Sequence, residues 1–303
     1  MEAAVEALEA GDLVLLPTET VYGLAADASN ALAVAKIFEA KGRPRFNPLI
    51  AHVEGLDAAE RIARLDERAR ALAEAFWPGP LTLVAPAREG GPVGDLARAG
   101  LETVAVRAPG HPLAREVIAR FGRPVVAPSA NRSGRPSPTT FADAVAETGF
   151  AARAALDGGD CAVGLESTVV SVLGGTVRLL RPGAVTRQDL ARVVGAVEDG
   201  GGEAHRSPGR LAVHYAPDAP VRLNAEAPRP GEAYLAFGTA PPGEGVFQLS
   251  AARDLREAAA NLFRLLREAD RTRPTAIAVA PIPPEGLGEA LNDRLGRAAG
   301  KVG

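Results

Sequence analysis

Residues Glu39–His52 read EAKGRPRFNPLIAH, and this stretch decides the fold. A helical pattern that opens behind Ser29–Asn30, a capping pair, stops at Gly42, a residue suited to the left-handed backbone that closes helices. Pro44 and Pro48 then break the chain before the apolar run 48–53 (PLIAHV), which has the length and composition of a strand. Working outward, the same alternation recurs. Runs at 13–17, 81–86, 103–108, 124–128, 168–173 and 176–181 read as strands, and 2–10, 30–41, 57–76, 111–121, 139–148 and 186–195 read as helices. Such alternation specifies an α/β fold rather than an all-α or all-β one.

The same stretch contains an oddity of charge. Lys and Arg total 34, yet the only lysines are Lys36, Lys41 and Lys301. A solvated surface would accept arginine at 41. A site that needs a compact, strongly hydrated point charge would not. The plain alternative is a cation placed at a helix C-terminus, where the macrodipole favours it.

Composition narrows the classes. A chain of 303 residues with 47% hydrophobic and 23% charged content builds one large domain or two ordinary ones. A formal net charge of −3 argues against attachment to nucleic acid by bulk electrostatics, while leaving room for a local basic cleft. The single Cys161 excludes an intrachain disulfide and points to a reducing cytoplasm. The acidic, amphipathic start MEAAVEALEAGDL is neither a signal peptide nor an anchor, and no apolar run spans a bilayer, so no membrane contact is expected.

Around 196–220 the sequence turns rich in Gly, Pro and charge without a sustained period, as in a linker. Beyond it, further strand runs, the long helical pattern RDLREAAANLFRLLREADR and a last helix near 285–299 make a compact β/α unit. The expected division is a first domain at 1–200, a linker or lid at 201–219 and a smaller domain at 220–303.

Generic chemical motifs are missing. The sequence has no P-loop, no G-x-G-x-x-G after a strand and no G-x-S-x-G elbow, and its four histidines lack metal-ligand spacing. Polar groups instead interrupt strand ends: Thr18, Glu19, Thr20 and Tyr22 after LVLLP, Arg107 in TVAVRAPGHP, Ser129 and Asn131 after PVVAP, and Arg181 in TVRLLRPG. Singly, each reads best as a cap, a turn or a solvated arginine. Four such places together with Lys41 and Arg43 point to an anion pocket at the strand ends of an α/β sheet.

PTETVYGLAADA, KGRPRFNPLIAHV, WPGPLTLV, VRAPGHP, APSANRSGRPSPT, STVV and LRPG stand in the order found in the YrdC-like family, which this chain resembles over essentially its whole length. The SPG…HYAP linker and the extra C-terminal unit are similar to its two-domain branch, the L-threonylcarbamoyladenylate synthases. The resemblance implies a twisted mixed-sheet catalytic domain and a smaller Rossmann-like C-terminal domain. It implies synthesis of L-threonylcarbamoyl-AMP from L-threonine, bicarbonate and ATP with release of pyrophosphate. The product supplies the threonylcarbamoyl group for the adenosine next to the anticodon of tRNA, so downstream transfer enzymes are implied partners, with a weak contact to tRNA as a further expectation.

The family's K-x-R…S-x-N tetrad falls on Lys41, Arg43, Ser129 and Asn131. A carbamate attacking the α-phosphorus of ATP is an anion approaching a polyanion, so fixed charge and donors must cancel the field. Arg107 and Arg181 fit the same task, which makes them, with the tetrad, the implied ATP- and phosphate-binding set. Mg2+ is expected on the triphosphate itself. Thr18, His52 and Ser167 are the implied threonine-binding residues, against a satisfied core histidine as the plain reading of His52. Tyr22 reads as packing, and Phe46 and Trp77 as shapers of the fold. The segment Ser207–Pro217 reads as a lid that brings Tyr215 to the site. Within it, Arg210–Val213 departs from the basic and aromatic run usual in relatives. Two rivals stand beside this reading. One is carbamoyl transfer as in the hydrogenase-maturation relatives, whose metal-binding segments are absent here. The other is an RNA-binding or ribosome-maturation module that uses the same basic cleft.

Overall fold

The computed structural model describes residues 1–201, 215–240 and 243–300. Segment 202–214, with the Arg210–Val213 run and the first part of the expected lid, lies outside the described residues. Among the described residues ten strands form one mixed sheet, in the order β10 (Glu198–Asp199), β9 (Arg178–Arg181), β8 (Thr168–Ser171), β4 (Leu81–Pro86), β5 (Thr103–Arg107), β3 (Ile50–His52), β6 (Val125–Val126), β2 (Gly23–Asp27), β1 (Leu13–Leu16) and β7 (Ala152–Ala155). The pairs β1–β7, β3–β5, β4–β8 and β9–β10 are parallel, and the other neighbours antiparallel.

Strand β1 shows how the core divides. Leu13 and Leu15 join an interior with Leu24, Ile37, Leu72 and Val106, while Val14 and Leu16 pack on the other face with Leu8, Val117 and Phe121. The two-residue period of a strand forces this split. Helices therefore cover both faces. On one side lie α1 (Glu2–Glu9) and α6 (Pro112–Phe121); on the other lie α2 (Ala31–Lys41), α4 (Glu67–Phe76) and α8 (Arg187–Val194). Each buried leucine contributes about 1.5–3 kcal/mol before entropy is counted.

The helix expected at 57–76 is two, α3 (Leu56–Glu60) and α4, because Asp66 accepts from the Ala69 N–H at 2.9 Å and caps a new start. A short α5 (Asp95–Arg98) and the strands β2 and β7 were not foreseen. Their glycine- and alanine-rich sequences carry little strand propensity, and pairing with neighbours determines their state. The run 124–128 keeps only two strand residues, bracketed by Pro124 and Pro128. Phe46 is 69% exposed and so shapes no core, whereas the Trp77 Nε1–H donates to the Leu81 carbonyl at 2.7 Å.

After α7 (Phe141–Thr148), a second, parallel sheet has the order β11 (Val221–Arg222), β14 (Ile277–Val279), β12 (Ala233–Phe237), β13 (Val246–Ser250). Strand β13 was also missed in the sequence. Helices α9 (Leu255–Arg271) and α10 (Leu287–Ala298) complete this unit, whose core also takes in Val21 and Leu165 from the first. The α9 backbone passes close to Gly164, at φ +72°: a Cβ there would lie 2.5 Å from the Ala259 carbonyl oxygen.

Gly164→Ala should accordingly lower urea-unfolding stability by at least ~2 kcal/mol, through left-handed strain plus the clash. Gly42→Ala, at φ +58° with nothing within 4 Å, should lose only the strain, about 1 kcal/mol. Equal losses would show that the approach of α9 does not constrain Gly164.

Candidate active site

The turn after β1 prepares one wall of a cavity. The Thr18 hydroxyl accepts from the Val21 N–H at 3.2 Å and contacts the Val21 carbonyl at 2.6 Å, closing a tight bend. Thr20, whose Oγ1 lies 2.8 Å from that of Thr18, lines the cavity, and Thr18 does not. Arg107, at the end of β5, donates to Thr20 Oγ1 at 2.9 Å, to the Gly79 carbonyl at 3.1 Å and to Glu19 Oε1 at 2.5 Å. Burial alone would raise the Glu19 pKa, but the charge and hydrogen bond of Arg107 outweigh it and hold the carboxyl below its usual range. Beside Arg107, His52 is 2% exposed with Nδ1 3.1 Å from the Ile50 carbonyl. Burial first, and the Arg107 charge second, push its pKa down to about 3. His52 is therefore neutral at any working pH.

The loop after β6 supplies the next wall. Lys41, only 3% exposed, donates Nζ to the backbone carbonyls of Ser129 and Asn131. Burial and the nearby Arg43 drive its pKa well below the ordinary lysine value. Asn131 donates to the carbonyls of Arg132 at 2.8 Å and Arg135 at 2.9 Å. Both side chains are thus occupied in building the loop, and neither lines the cavity, whereas Ser129 and Arg43 do. Arg43 donates to the Pro48 carbonyl at 3.0 Å, and burial lowers its pKa to about 10. It remains a cation.

The third wall comes from β8 and β9. Ser167 Oγ lies 2.8 Å from Thr82 Oγ1, and Arg181 donates to the Ser167 carbonyl at 2.9 Å and to Oγ at 3.1 Å. Glu166, just before Ser167, also faces the cavity. Sequence reasoning missed it, because its arginine partner lies 128 residues away. Tyr215 closes the space. It is 1% exposed at φ 62°, its ring centre 5.3 Å from that of Phe263 in α9. Burial raises its pKa to about 12. The cavity these residues line has a volume of ≈ 50 Å³. Of the residues singled out in the sequence, Arg43, His52, Arg107, Ser129, Ser167, Arg181 and Tyr215 meet there, while Thr18, Lys41 and Asn131 stand behind the walls.

Residues 6–183 match the family of Sua5, YciO and YrdC, described as telomere recombination, and residues 185–300 match the threonylcarbamoyl-AMP synthase C-terminal domain. The chain belongs to the Sua5/YciO/YrdC family, in its two-domain form. Two of its relatives match it over nearly the whole chain. The threonylcarbamoyl-AMP synthase of Bacillus subtilis is 37% identical over 97% of this chain and 91% of its own. That of Pyrococcus abyssi is 40% identical over 96% and 91%. The crystal structure of P. abyssi Sua5 complexed with L-threonine superposes with a TM-score of 0.91 at 37% identity, covering 98% of this chain and 93% of that one.

The buried His52 has a consequence for stability. Native His52 stays neutral down to about pH 3, while the unfolded residue takes up a proton near 6.5. Between those values the unfolded state binds the extra proton, so stability must fall as pH falls. His52→Leu should remove up to about 1.4 kcal/mol per pH unit of that slope between roughly pH 6.5 and 4.5, above the carboxylate range. Urea titrations across this window check it. An unchanged slope would show that His52 is protonated in the folded protein.

Proposed function

We propose that this member of the family makes L-threonylcarbamoyl-AMP from L-threonine, bicarbonate and ATP, releasing pyrophosphate. The observation that carries the reading is the convergence of Arg43, Arg107 and Arg181 with Ser129, Ser167 and neutral His52 in one cavity, in a chain matched end to end by threonylcarbamoyl-AMP synthases. The RNA-module alternative has no such support.

The residues divide by charge. Arg107 is already neutralised by Glu19, so its side of the cavity suits a zwitterion: threonine, with Thr20, Ser167 and His52 offering hydroxyl and imidazole contacts. Thr18 shapes the turn that presents Thr20. Arg43 and Arg181, with pKa values lowered by burial, are cations that a polyanion would stabilise, and they face the triphosphate together with Ser129. The threonine amine and bicarbonate give a carbamate and water. A carbamate oxygen then attacks the α-phosphorus, the bond to the β-phosphate bridging oxygen breaks, and pyrophosphate leaves. Fixed guanidiniums in a dry site favour this approach of like charges because they need no reorganisation as the reaction proceeds. Lys41 and Asn131 act one step back, by holding the loop that carries Ser129. Mg2+ arrives on the triphosphate. No group of three or more His, Cys, Asp or Glu able to hold a metal occurs among the described residues, and the cavity's Glu166 is already bonded to Arg294.

The product is a labile mixed anhydride, so transfer enzymes must take it to the adenosine next to the anticodon in tRNA, with tRNA itself at most a weak partner. Cytoplasmic residence fits the single thiol of Cys161. No described helix is long and apolar enough to cross a membrane.

Pyrophosphate release followed with ATP and bicarbonate, with and without L-threonine, tests the reading. Threonine-independent release, or none, would overturn it. Arg43→Ala should suppress the threonine-dependent rate by at least ~100-fold, the scale for one preorganised donor. Lys41→Ala should do the same and also destabilise the fold, since two buried carbonyls lose their donor.

Serine, lacking one methyl, should be a poorer substrate by roughly 1–3 kcal/mol in kcat/KM, and valine worse still because a polar group of the site is left unpaired. Equal rates with threonine, serine and valine would show that no hydroxyl is read.

A further inference from the structure

The wall formed by Ser167 and Arg181 is held from the far end of the chain. Arg294 of α10 is 1% exposed. Its Nε donates to Glu166 Oε2 at 2.8 Å, its Nη2 to the Pro182 carbonyl at 2.9 Å and its Nη1 to Asp293 Oδ2 at 2.6 Å. Glu166 immediately precedes Ser167, and Pro182 immediately follows Arg181. One planar guanidinium therefore grips both segments whose side chains make that wall, the start of β8 and the end of β9. The same group lies 5.4 Å from the centre of the Tyr215 ring, which closes the cavity. The other oxygen of Glu166 accepts from the Ser137 hydroxyl, so the carboxylate is fixed from two sides.

Docking the two units does not require this convergence. The ion pair of Arg271 with Asp143 also joins them, yet neither residue lines the cavity. Arg294 differs in that every partner of its Nε and Nη2 is a backbone or side-chain neighbour of the pair that faces the cavity.

We propose that Arg294 is a positioning residue for the adenylation cavity: by tying Glu166 to Pro182 it sets the spacing of β8 and β9 at which Arg181 meets the nucleotide phosphates. The second unit then supplies part of the phosphate wall's geometry without touching substrate. Lysine could not replace it, because a point charge cannot span two acceptors on different segments as a fork does. The inference rests on the assignment of Arg181 to the triphosphate made above.

The test uses the full chain. Affinity for α,β-methylene-ATP is measured by calorimetry, and KM for ATP and for L-threonine by pyrophosphate release. Arg294→Met should weaken analogue binding and raise KM for ATP by at least ~10-fold, with KM for threonine rising less because Thr82 still holds Ser167 at 2.8 Å, and Arg294→Lys should stay close to Arg294→Met. Because removing one partner of a buried pair orphans the other's charge, a Glu166→Gln, Arg294→Met double variant, in which no buried charge is orphaned, is measured in parallel. It should recover the wild-type unfolding midpoint yet keep the weakened nucleotide affinity. Recovery of both would overturn the proposal, since the pair would then be a docking contact only. Arg271→Met is the control and should leave nucleotide affinity within ~2-fold. An equal loss there would mean that any loosening of the interface suffices, and would also overturn it. If the wild-type protein bound the analogue but showed no threonine-dependent turnover, the assigned reaction would fall, while the analogue affinities would still decide the role of Arg294.

Discussion

Burying positive charge is the constraint on which the rest of this structure depends. A cavity lined by arginines takes cations out of water, and desolvation penalises each of them. The protein meets the cost mainly with neutral acceptors. Lys41 is held by two backbone carbonyls, and Arg43 by those of Asn47 and Pro48. Carbonyl dipoles orient these groups without cancelling their charge, so the field survives into the cavity. Arg107 is treated differently, with a carboxylate at 2.5 Å, and the cavity becomes electrostatically two-sided as a result. The lowered pKa values of Lys41 and Arg43 record that cost.

The interface between the two units obeys a related rule. Among the described residues its two fully buried ion pairs run one way, with carboxylates from the first unit and arginines from the second: Glu147 with Arg267 at 3.0 Å and Glu166 with Arg294 at 2.8 Å. Asp143 with the exposed Arg271 follows them, while the half-buried pair of Arg187 with Glu289 at 3.0 Å runs the other way. Asp143 and Glu147 are four residues apart on α7, and Arg267 and Arg271 four apart on α9, so one helical turn is matched against another. Pairs of this kind add little net stability, but a misdocked arrangement that orphaned one buried charge would cost roughly 3–5 kcal/mol. They therefore select a single docking. Glu147 also accepts from the Arg132 N–H at 3.0 Å, so the docking reaches the loop that carries Ser129.

How much of this was legible in the sequence follows from how local each signal is. Helix α2 was readable at both ends, because the Asn30 cap and the left-handed Gly42 act within a few residues. Strands β2 and β7 were not, since alanine and glycine become strand only by pairing with distant neighbours. The cavity arginines announced themselves as charges at strand ends. The burial of Lys41 did not, because its acceptors lie 88 and 90 residues away. Thr18 and Thr20 are equivalent on paper, and only the bend that Thr18 itself closes decides which of them lines the cavity. The contact of Glu166 with Arg294 spans 128 residues and two units. No pattern of period or spacing encodes such a pair.

Tyr215 brings these strands of argument together. Its ring lines the cavity and packs against Phe263 and the Arg294 guanidinium, so the second unit supplies the surface against which this wall rests. An enclosed site has a chemical reason here. Carbamate decomposes and a mixed anhydride hydrolyses when water is free to enter, and excluding water also strengthens every charge contact within. A flat aromatic ring loses little conformational freedom on ordering, and its buried face excludes solvent over a wide area. Its left-handed backbone, at φ 62°, is a conformation that a bulky residue adopts only when its surroundings enforce it. Those surroundings are the packed face of α9 and the guanidinium of α10. The wall that Tyr215 adds to the cavity is in this sense a property of the second unit's core, and a chain that kept the first sheet alone would keep the cavity arginines and lose that wall.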